Sequence, residues 1–355
     1  MKNNQHNNLS IGGIVIGPKT PPFIIAEMSG NHNQSLERAI QIVEAAAESG
    51  AHALKLQTYT ADTITLDVKD GEFFINDEKN LWKGNSLHDL YTKAYTPWEW
   101  HKPIMKRAKE LGMVCFSSPF DESAVDFLEE LDVVAYKIAS FENNHLPLIR
   151  KVAATGKPVI ISVGMASIAE IHDAVSTTRD AGCKDIILLK CTSAYPSNPK
   201  NSNILTIPDM REIFDCEVGL SDHTMGIGAS IAAVAHGATI IEKHFTLSRA
   251  DGGVDSAFSL EPKELSMLVI ETKRAWESLG KISYGPTKDE EKSLPYRRSI
   301  YISENINKGE ALTKDNLRIV RPGLGLAPKY YDLLIGKKVK INLIKGTPVN
   351  WDHIY

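Results

Sequence analysis

The chain has 355 residues, 43% of them hydrophobic and 24% charged, which suits one large and one small domain of an ordinary globular protein. A formal net charge of -4, with lysine and arginine scattered, gives no field to attract nucleic acid or an anionic membrane, and neither is expected as a partner. No apolar run is long enough for a membrane span and no charged-then-apolar leader is visible, so a cytoplasmic protein is expected.

Residues through about Asn8 read as disordered, and LSIGGIVIGP after them as a hairpin capping one end of the domain. Eight short apolar runs follow, at 22–27, 52–57, 113–118, 134–140, 158–164, 186–192, 216–222 and 238–245. Their continuous rather than alternating hydrophobicity is what strands covered on both faces show. Helix-period segments lie near 36–49, 97–111, 121–131, 145–155, 167–181, 203–214, 227–236 and 262–279. Ser167 with Glu170 has capping-box spacing, and Thr96, Pro97 and Glu99 fit N-cap, N1 and N3. Eight strand–helix units predict an α/β fold, a (β/α)8 TIM barrel over residues 1–285. The stretch 58–96 is too long for a simple strand-to-helix loop, and such lengths usually carry function or disorder.

Beyond Gly280 the composition turns Gly-, Pro- and Lys-rich, giving a linker at 286–296 and a small domain at 297–355. Within it, KGEALTKDNL (308–317) and KGTPVNWDHI (345–354) share a spacing of Lys-Gly, two apolar positions and Asp, which suggests a pseudo-symmetric β-rich module. Cys115, Cys183, Cys191 and Cys216 lack CxxC spacing and read as reduced packing residues rather than zinc ligands or disulfides.

Active sites of such barrels lie at the C-terminal ends of the strands. The eight runs end on Glu27, Lys55 and Gln57, Ser117 and Ser118, Lys137 and Ser140, Ser162, Lys190 and Thr192, Asp222 and His223, and His244. Any one serine or threonine is more often a strand-end cap, but convergence of all eight favours a site. His223 and His244 close adjacent strands, so both imidazoles can reach one cation, with acids Glu27 and Asp255 near. Imidazole with oxygen ligands suits Mn2+ or Fe2+, with zinc a poorer fit. Lys55 and Lys137 end apolar strands, where an unpaired charge is costly and an anionic ligand would offset it. Lysine also forms Schiff bases in barrel aldolases, so Lys137 or Lys190 as a covalent catalyst stays open.

The ordered motifs IAEMSGNHN around Glu27, Lys55-Leu56-Gln57, SSPF at Ser117, AYKIAS at Lys137, CTSAYP at Cys191, GLSDHT at Ser221 and EKHF at Glu242 together resemble the sialic acid synthase family. The tail, with Arg321-Pro322-Gly323, resembles that family's antifreeze-like, or SAF, domain of β-clip fold. The resemblance implies condensation of phosphoenolpyruvate with the open-chain aldehyde of an acetamido sugar, giving a nine-carbon 2-keto acid and phosphate. It makes His223 and His244 metal ligands, with Mn2+ the expected ion and Mg2+, Co2+ or Fe2+ the others. Lys55, Lys137, Ser140, Ser162 and Ser221 would hold phosphoenolpyruvate, with Gln57 and Thr192 nearby. Glu27 would handle a proton, and Asp255 and Tyr195 would contact the sugar. It also implies a domain-swapped homodimer in which Arg321 of one subunit reaches the partner's sugar. Met28-Ser29-Gly30 before Asn31-His32 resembles the pseudaminic acid branch, whose acceptor is a 2,4-diacetamido-2,4,6-trideoxy hexose; the legionaminate and neuraminate branches are the alternatives. A non-catalytic binding protein is a further alternative, disfavoured by the intact set Glu27, Lys55, Lys137, His223 and His244.

Overall fold

A computed structural model describes residues 9–78 and 81–355, so the segment expected to be disordered, up to Asn8, lies outside the described residues. The chain forms two compact units, Met1–Gly280 and Lys281–Tyr355.

The first unit opens with the expected hairpin, β1 (Ser10–Ile11) antiparallel to β2 (Ile14–Val15). Gly12 and Gly13 form its two-residue turn, and both have positive φ, as a turn matched to strand twist requires. A Cβ at Gly12 would stand 2.3 Å from Val114 Cγ1, so glycine also lets the turn press against the barrel wall. The barrel units then follow in order: β3 (Phe23–Glu27), α1 (Leu36–Glu48) and β4 (Ala53–Thr58). The long stretch after β4 holds the one-turn α2 (Ala61–Ile64), a 3-10 turn at Gly71–Phe73 and α3 (Leu87–Ala94) before α4 (Trp98–Glu110). Next come β5 (Val114–Pro119), α5 (Glu122–Glu130), β6 (Tyr136–Ile138), α6 (Leu146–Ala153), β7 (Val159–Ser162) and α7 (Ile168–Asp180). The unit closes with β8 (Ile186–Cys191), α8 (Thr206–Phe214), β9 (Glu217–Ser221), α9 (Gly228–Ala235), β10 (Ile240–His244) and α10 (Pro262–Leu279).

Strands β3 to β10 pair in parallel and β10 returns to β3, which closes the eight-stranded barrel. The Ser167–Glu170 capping box forms as expected. The other cap is corrected: α4 starts at Trp98 behind Pro97, which makes no side-chain cap, and the Thr96 hydroxyl instead meets His32 Nε2 at 3.1 Å. A buried histidine in need of a partner outweighs one helix-end N–H that water can satisfy.

Two apolar clusters divide the strands by parity, because successive side chains point to opposite faces. Ile24, Leu54, Tyr136, Ile161, Leu188 and Ile241 pack outward against the helices. Phe23, Ile25, Phe116, Ile160, Leu189 and Ile240 fill the interior, where Leu9, Ile11 and Ile16 of the hairpin join them. No helix among the described residues is long and apolar enough to cross a membrane. All four cysteines are free.

In the second unit the segment expected as a linker contains the one-turn α11 (Lys288–Glu291). Then β11 (Ser299–Ile302) pairs antiparallel with β12 (Leu317–Val320), and α12 (Tyr331–Leu334) follows. The internal repeat has a physical basis: Leu312 and Leu317 of the first copy and Val349 and Ile354 of the second all enter one buried core. Gly309 and Gly346 hold matching positive-φ turns.

Candidate active site

The interior parity places chemistry above the apolar layer. Continuing each interior row toward the strand C-terminus gives Glu27, Lys55 and Gln57, Ser118, Lys137, Ser162, Cys191, Ser221, and Glu242 with His244. Gly219, below Ser221, admits no side chain: a Cβ would lie 2.3 Å from Ile240 O and 2.7 Å from Leu189 Cδ2.

The floor of this polar layer is a buried charge network. Lys55 Nζ lies 2.7 Å from Glu27 Oε2 and 3.9 Å from Glu242 Oε2, and Lys137 Nζ lies 4.0 Å from Glu242 Oε1. Lys137 also donates to Ser162 Oγ at 2.7 Å, Lys55 to Ser118 Oγ at 3.3 Å, and Ser221 to Glu242 at 3.0 Å. Gln57 Nε2 donates to Glu27 Oε1 at 2.9 Å. Burial pushes the Glu27 carboxyl up against the pull of Lys55. Burial also opposes ionisation of Glu242, but Lys137 and Lys55 hold it below its ordinary value. Burial lowers Lys137. Glu27 and Glu242 partly offset the desolvation of the two lysines, so these charges are not unpaired, while burial still holds Lys137 below its ordinary value.

Above the floor, the His223 and His244 rings are 5.3 Å apart. His223 Nδ1 donates to Thr192 O at 2.9 Å, which leaves Nε2 as the lone-pair nitrogen. His244 Nδ1 is buried without a hydrogen-bond partner and stands 3.5 Å from Asp255 Oδ2. Burial holds the His244 pKa well below its ordinary value, so the ring is neutral. Asp255 accepts from Ser29 Oγ, and its backbone N–H donates to Asn31 Oδ1 at 3.3 Å. Tyr195 lies 4.4 Å from the His223 ring and 6.3 Å from that of His244.

Glu27, Lys55, Gln57, Lys137, Ser162 and Ser221 thus join through Glu242 at the floor, and His223, His244, Asp255 and Tyr195 form a second group at the same end of the barrel. Ser140 accepts from Ser193 Oγ at 2.7 Å beside it. Thr192 takes part through its carbonyl, because its hydroxyl donates to Asn201 O at 3.1 Å. Lys190, Ser117 and Asp222 have the outward parity. Lys190 Nζ turns to Cys191 O at 2.8 Å, Ser117 bonds Thr58 at 2.6 Å, and Asp222 pairs with Lys243 at 3.0 Å. Arg321 belongs to the second unit, where it lines an open cavity of about 390 Å³ with Arg318 and Lys345.

Three groups at the site were absent from the expected set. Glu242 was readable, since it shares the face of His244 two residues on. Glu142, held near 7 by burial against the attraction of Lys137, lies in a loop where no periodicity points to it. Cys191, expected only to pack, has its sulfur 4.0 Å from His223 Nδ1.

A buried row of acids, lysines and imidazoles at the C-terminal rim of a TIM barrel defines an enzyme of the barrel class. The chain belongs to the NeuB family, whose model matches residues 42–284, and a SAF domain matches residues 297–354. It is 44% identical to the pseudaminic acid synthase of Helicobacter pylori over 94% of this chain and 98% of that one. Against the N,N'-diacetyllegionaminic acid synthase of Legionella pneumophila it is 35% identical over 98% of this chain and 99% of the other. The crystal structure of N-acetylneuraminic acid synthetase from Leptospira borgpetersenii, in complex with citrate, superposes with a TM-score of 0.71. That match is 33% identical and covers 82% of this chain and 96% of that one.

Proposed function

We propose that this protein is a pseudaminic acid synthase: a phosphoenolpyruvate-dependent transferase joining that substrate to the open-chain form of a diacetamido trideoxy hexose. The observation that carries the reading is the buried layer of Glu27, Lys55, Lys137, Glu242, His223 and His244, supported by greater identity to the pseudaminic than to the legionaminic acid synthase over almost the whole chain.

In this reading Lys55 and Lys137, with Ser140, Ser162 and Ser221, hold the phosphate and carboxylate of phosphoenolpyruvate. Since Lys55 is engaged with Glu27 at 2.7 Å, the incoming anion takes over part of that interaction and frees the carboxylate. Glu27, oriented by Gln57, then accepts and returns a proton at the sugar oxygen or the attacking water. Enol attack on the aldehyde leaves cationic character at C2, water adds there, and the tetrahedral product expels phosphate by C–O cleavage. Tyr195 and Asp255 line the acceptor side, and Arg321 is its remaining contact, supplied from the second unit of a partner in a homodimer.

The donor set fits a divalent ion: His244 Nδ1 is buried and unpartnered, and with His223 Nδ1 donating to Thr192 O its Nε2 is the nitrogen left to bind. His223 and His244 would hold the ion, with Asp255 Oδ2 3.5 Å from His244 Nδ1. When bound, such an ion, Mn2+ by expectation, supplies Lewis acidity to the sugar carbonyl. The test is phosphoenolpyruvate carrying heavy oxygen in the C–O–P bridge, turned over with a panel of amino sugars. Label in phosphate and a pseudaminate-mass product are expected. Label retained in the keto acid refutes the C–O cleavage, and product only from N-acetylmannosamine refutes the branch.

A further inference from the structure

The aromatic surroundings of the imidazole pair include a side chain that the barrel itself does not supply. Tyr195 and Phe258, whose rings are 5.3 Å apart, come from loops above β8 and β10, and Phe258 lies 4.9 Å from the His244 ring. On the other side of Tyr195, at 6.0 Å, stands the indole of Trp82, which belongs to the long stretch between β4 and α4. Its Nε1–H donates to Val254 O at 2.9 Å. Val254 directly precedes Asp255, so one hydrogen bond ties the long stretch to the loop that presents the carboxylate beside His244.

We propose that Trp82 is a specificity-determining residue, forming the apolar wall against which the deoxygenated carbon of the acceptor sugar packs and disfavouring acceptors with a hydroxyl there. The inference rests on the acceptor class given above and names the residue that selects within it. The indole N–H is directed to Val254 O, so what Trp82 turns toward Tyr195 is hydrocarbon and π surface. A methyl group gains by burial on such a wall, whereas a hydroxymethyl arm gives up water and finds no partner. Apolar pockets discriminate by roughly 10- to 200-fold between ligands that differ this little. Trp82 lies outside the charge network, so its contribution belongs to acceptor binding and leaves phosphoenolpyruvate binding unaffected.

The experiment is steady-state kinetics of wild-type, Trp82→Phe and Trp82→Ala enzyme with the diacetamido trideoxy acceptor and with its 6-hydroxylated counterpart, KM for phosphoenolpyruvate being measured in parallel. Trp82→Ala is expected to lower kcat/KM for the deoxy acceptor about 10-fold, through KM. Its preference over the hydroxylated sugar should shrink by a similar factor, with KM for phosphoenolpyruvate unchanged. Trp82→Phe, which keeps an aromatic face and loses the bond to Val254, should retain most of the preference. Equal losses on both acceptors, a raised KM for phosphoenolpyruvate, or no change at all would overturn the wall. So would a Phe variant as impaired as the Ala variant, which would reduce Trp82 to an anchor. The wild-type arm tests the acceptor class separately: an enzyme that turns over only a 6-hydroxylated sugar refutes the acceptor class and the wall together, whereas the outcomes above refute the wall alone.

Discussion

Glu242→Gln is the most informative single change, because it removes one charge and no volume from the floor of the site. Lys137 has Glu242 at 4.0 Å and no other carboxylate among the described residues at ion-pair distance, while Lys55 keeps Glu27 at 2.7 Å. At an effective dielectric constant near 20, a 4.0 Å pair is worth about 4 kcal/mol, and stranding a buried charge by removing its partner costs about 3 to 5 kcal/mol. The amide should therefore lower unfolding free energy by roughly that amount in urea titrations. The sign with pH follows. Burial already depresses the Lys137 pKa in the folded state, and the substitution lowers it further, so the unfolded chain binds the extra proton. The deficit is full below the folded value and shrinks as pH rises toward the ordinary lysine value. Lys137→Met added to Glu242→Gln should recover stability without recovering turnover. A Gln variant as stable as wild type, or a deficit that grows with pH, would refute the account of the floor as a mutually neutralising network.

Three further outcomes are expected. Burial holds His32 and His101 near pKa 4, so between the ordinary value of 6.5 and about 4 the unfolded chain takes up protons that the folded one refuses. Stability should fall as pH drops, by about 2 kcal/mol per histidine at pH 5, and His101→Gln should flatten the slope in urea titrations across that range; an unchanged slope refutes the assignment. Chelation should abolish turnover and Mn2+ restore it, while His223→Ala and His244→Ala stay folded and inactive; borohydride reduction of a lysine onto substrate would instead favour a Schiff base. Arg321→Ala should raise the sugar KM far more than that of phosphoenolpyruvate. Mixed under subunit exchange with inactive Glu27→Ala protein it should regain activity, and no recovery despite exchange argues against action in trans.

Much of the fold was legible because buried parallel strands leave continuous apolar runs that helices and loops interrupt. Even the pairing of Leu312 with Val349 and of Leu317 with Ile354 in the second unit was visible as a repeat. Legibility at the site followed parity. Lys137 and Lys190 look alike at the ends of their strands, yet Lys137 shares the interior face of Ala135 and Lys190 does not share that of Leu189. A strict two-residue count from the interior apolar positions would have separated them and would also have found Glu242. Thr96 was misread because a cap is a local signal, whereas the histidine that claimed its hydroxyl lies 64 residues away. Glu142 and Trp82 sit on connections, whose placement depends on tertiary contacts that no local pattern encodes.

The hairpin at Ser10–Val15 gives the barrel a sealed base, with Leu9, Ile11 and Ile16 continuous with the interior apolar layer. A sealed base makes the barrel a well rather than a tunnel, so whatever enters must leave by the same opening. In a well, depth becomes sequence. On the proposed function, the reactant held at the floor by Lys55 and Lys137 would arrive before the one beside His223, His244 and Tyr195. The occupant of the upper level then closes the only exit for the one below. Order of addition would then follow from a base already closed by the packed interior layer and the hairpin beneath it.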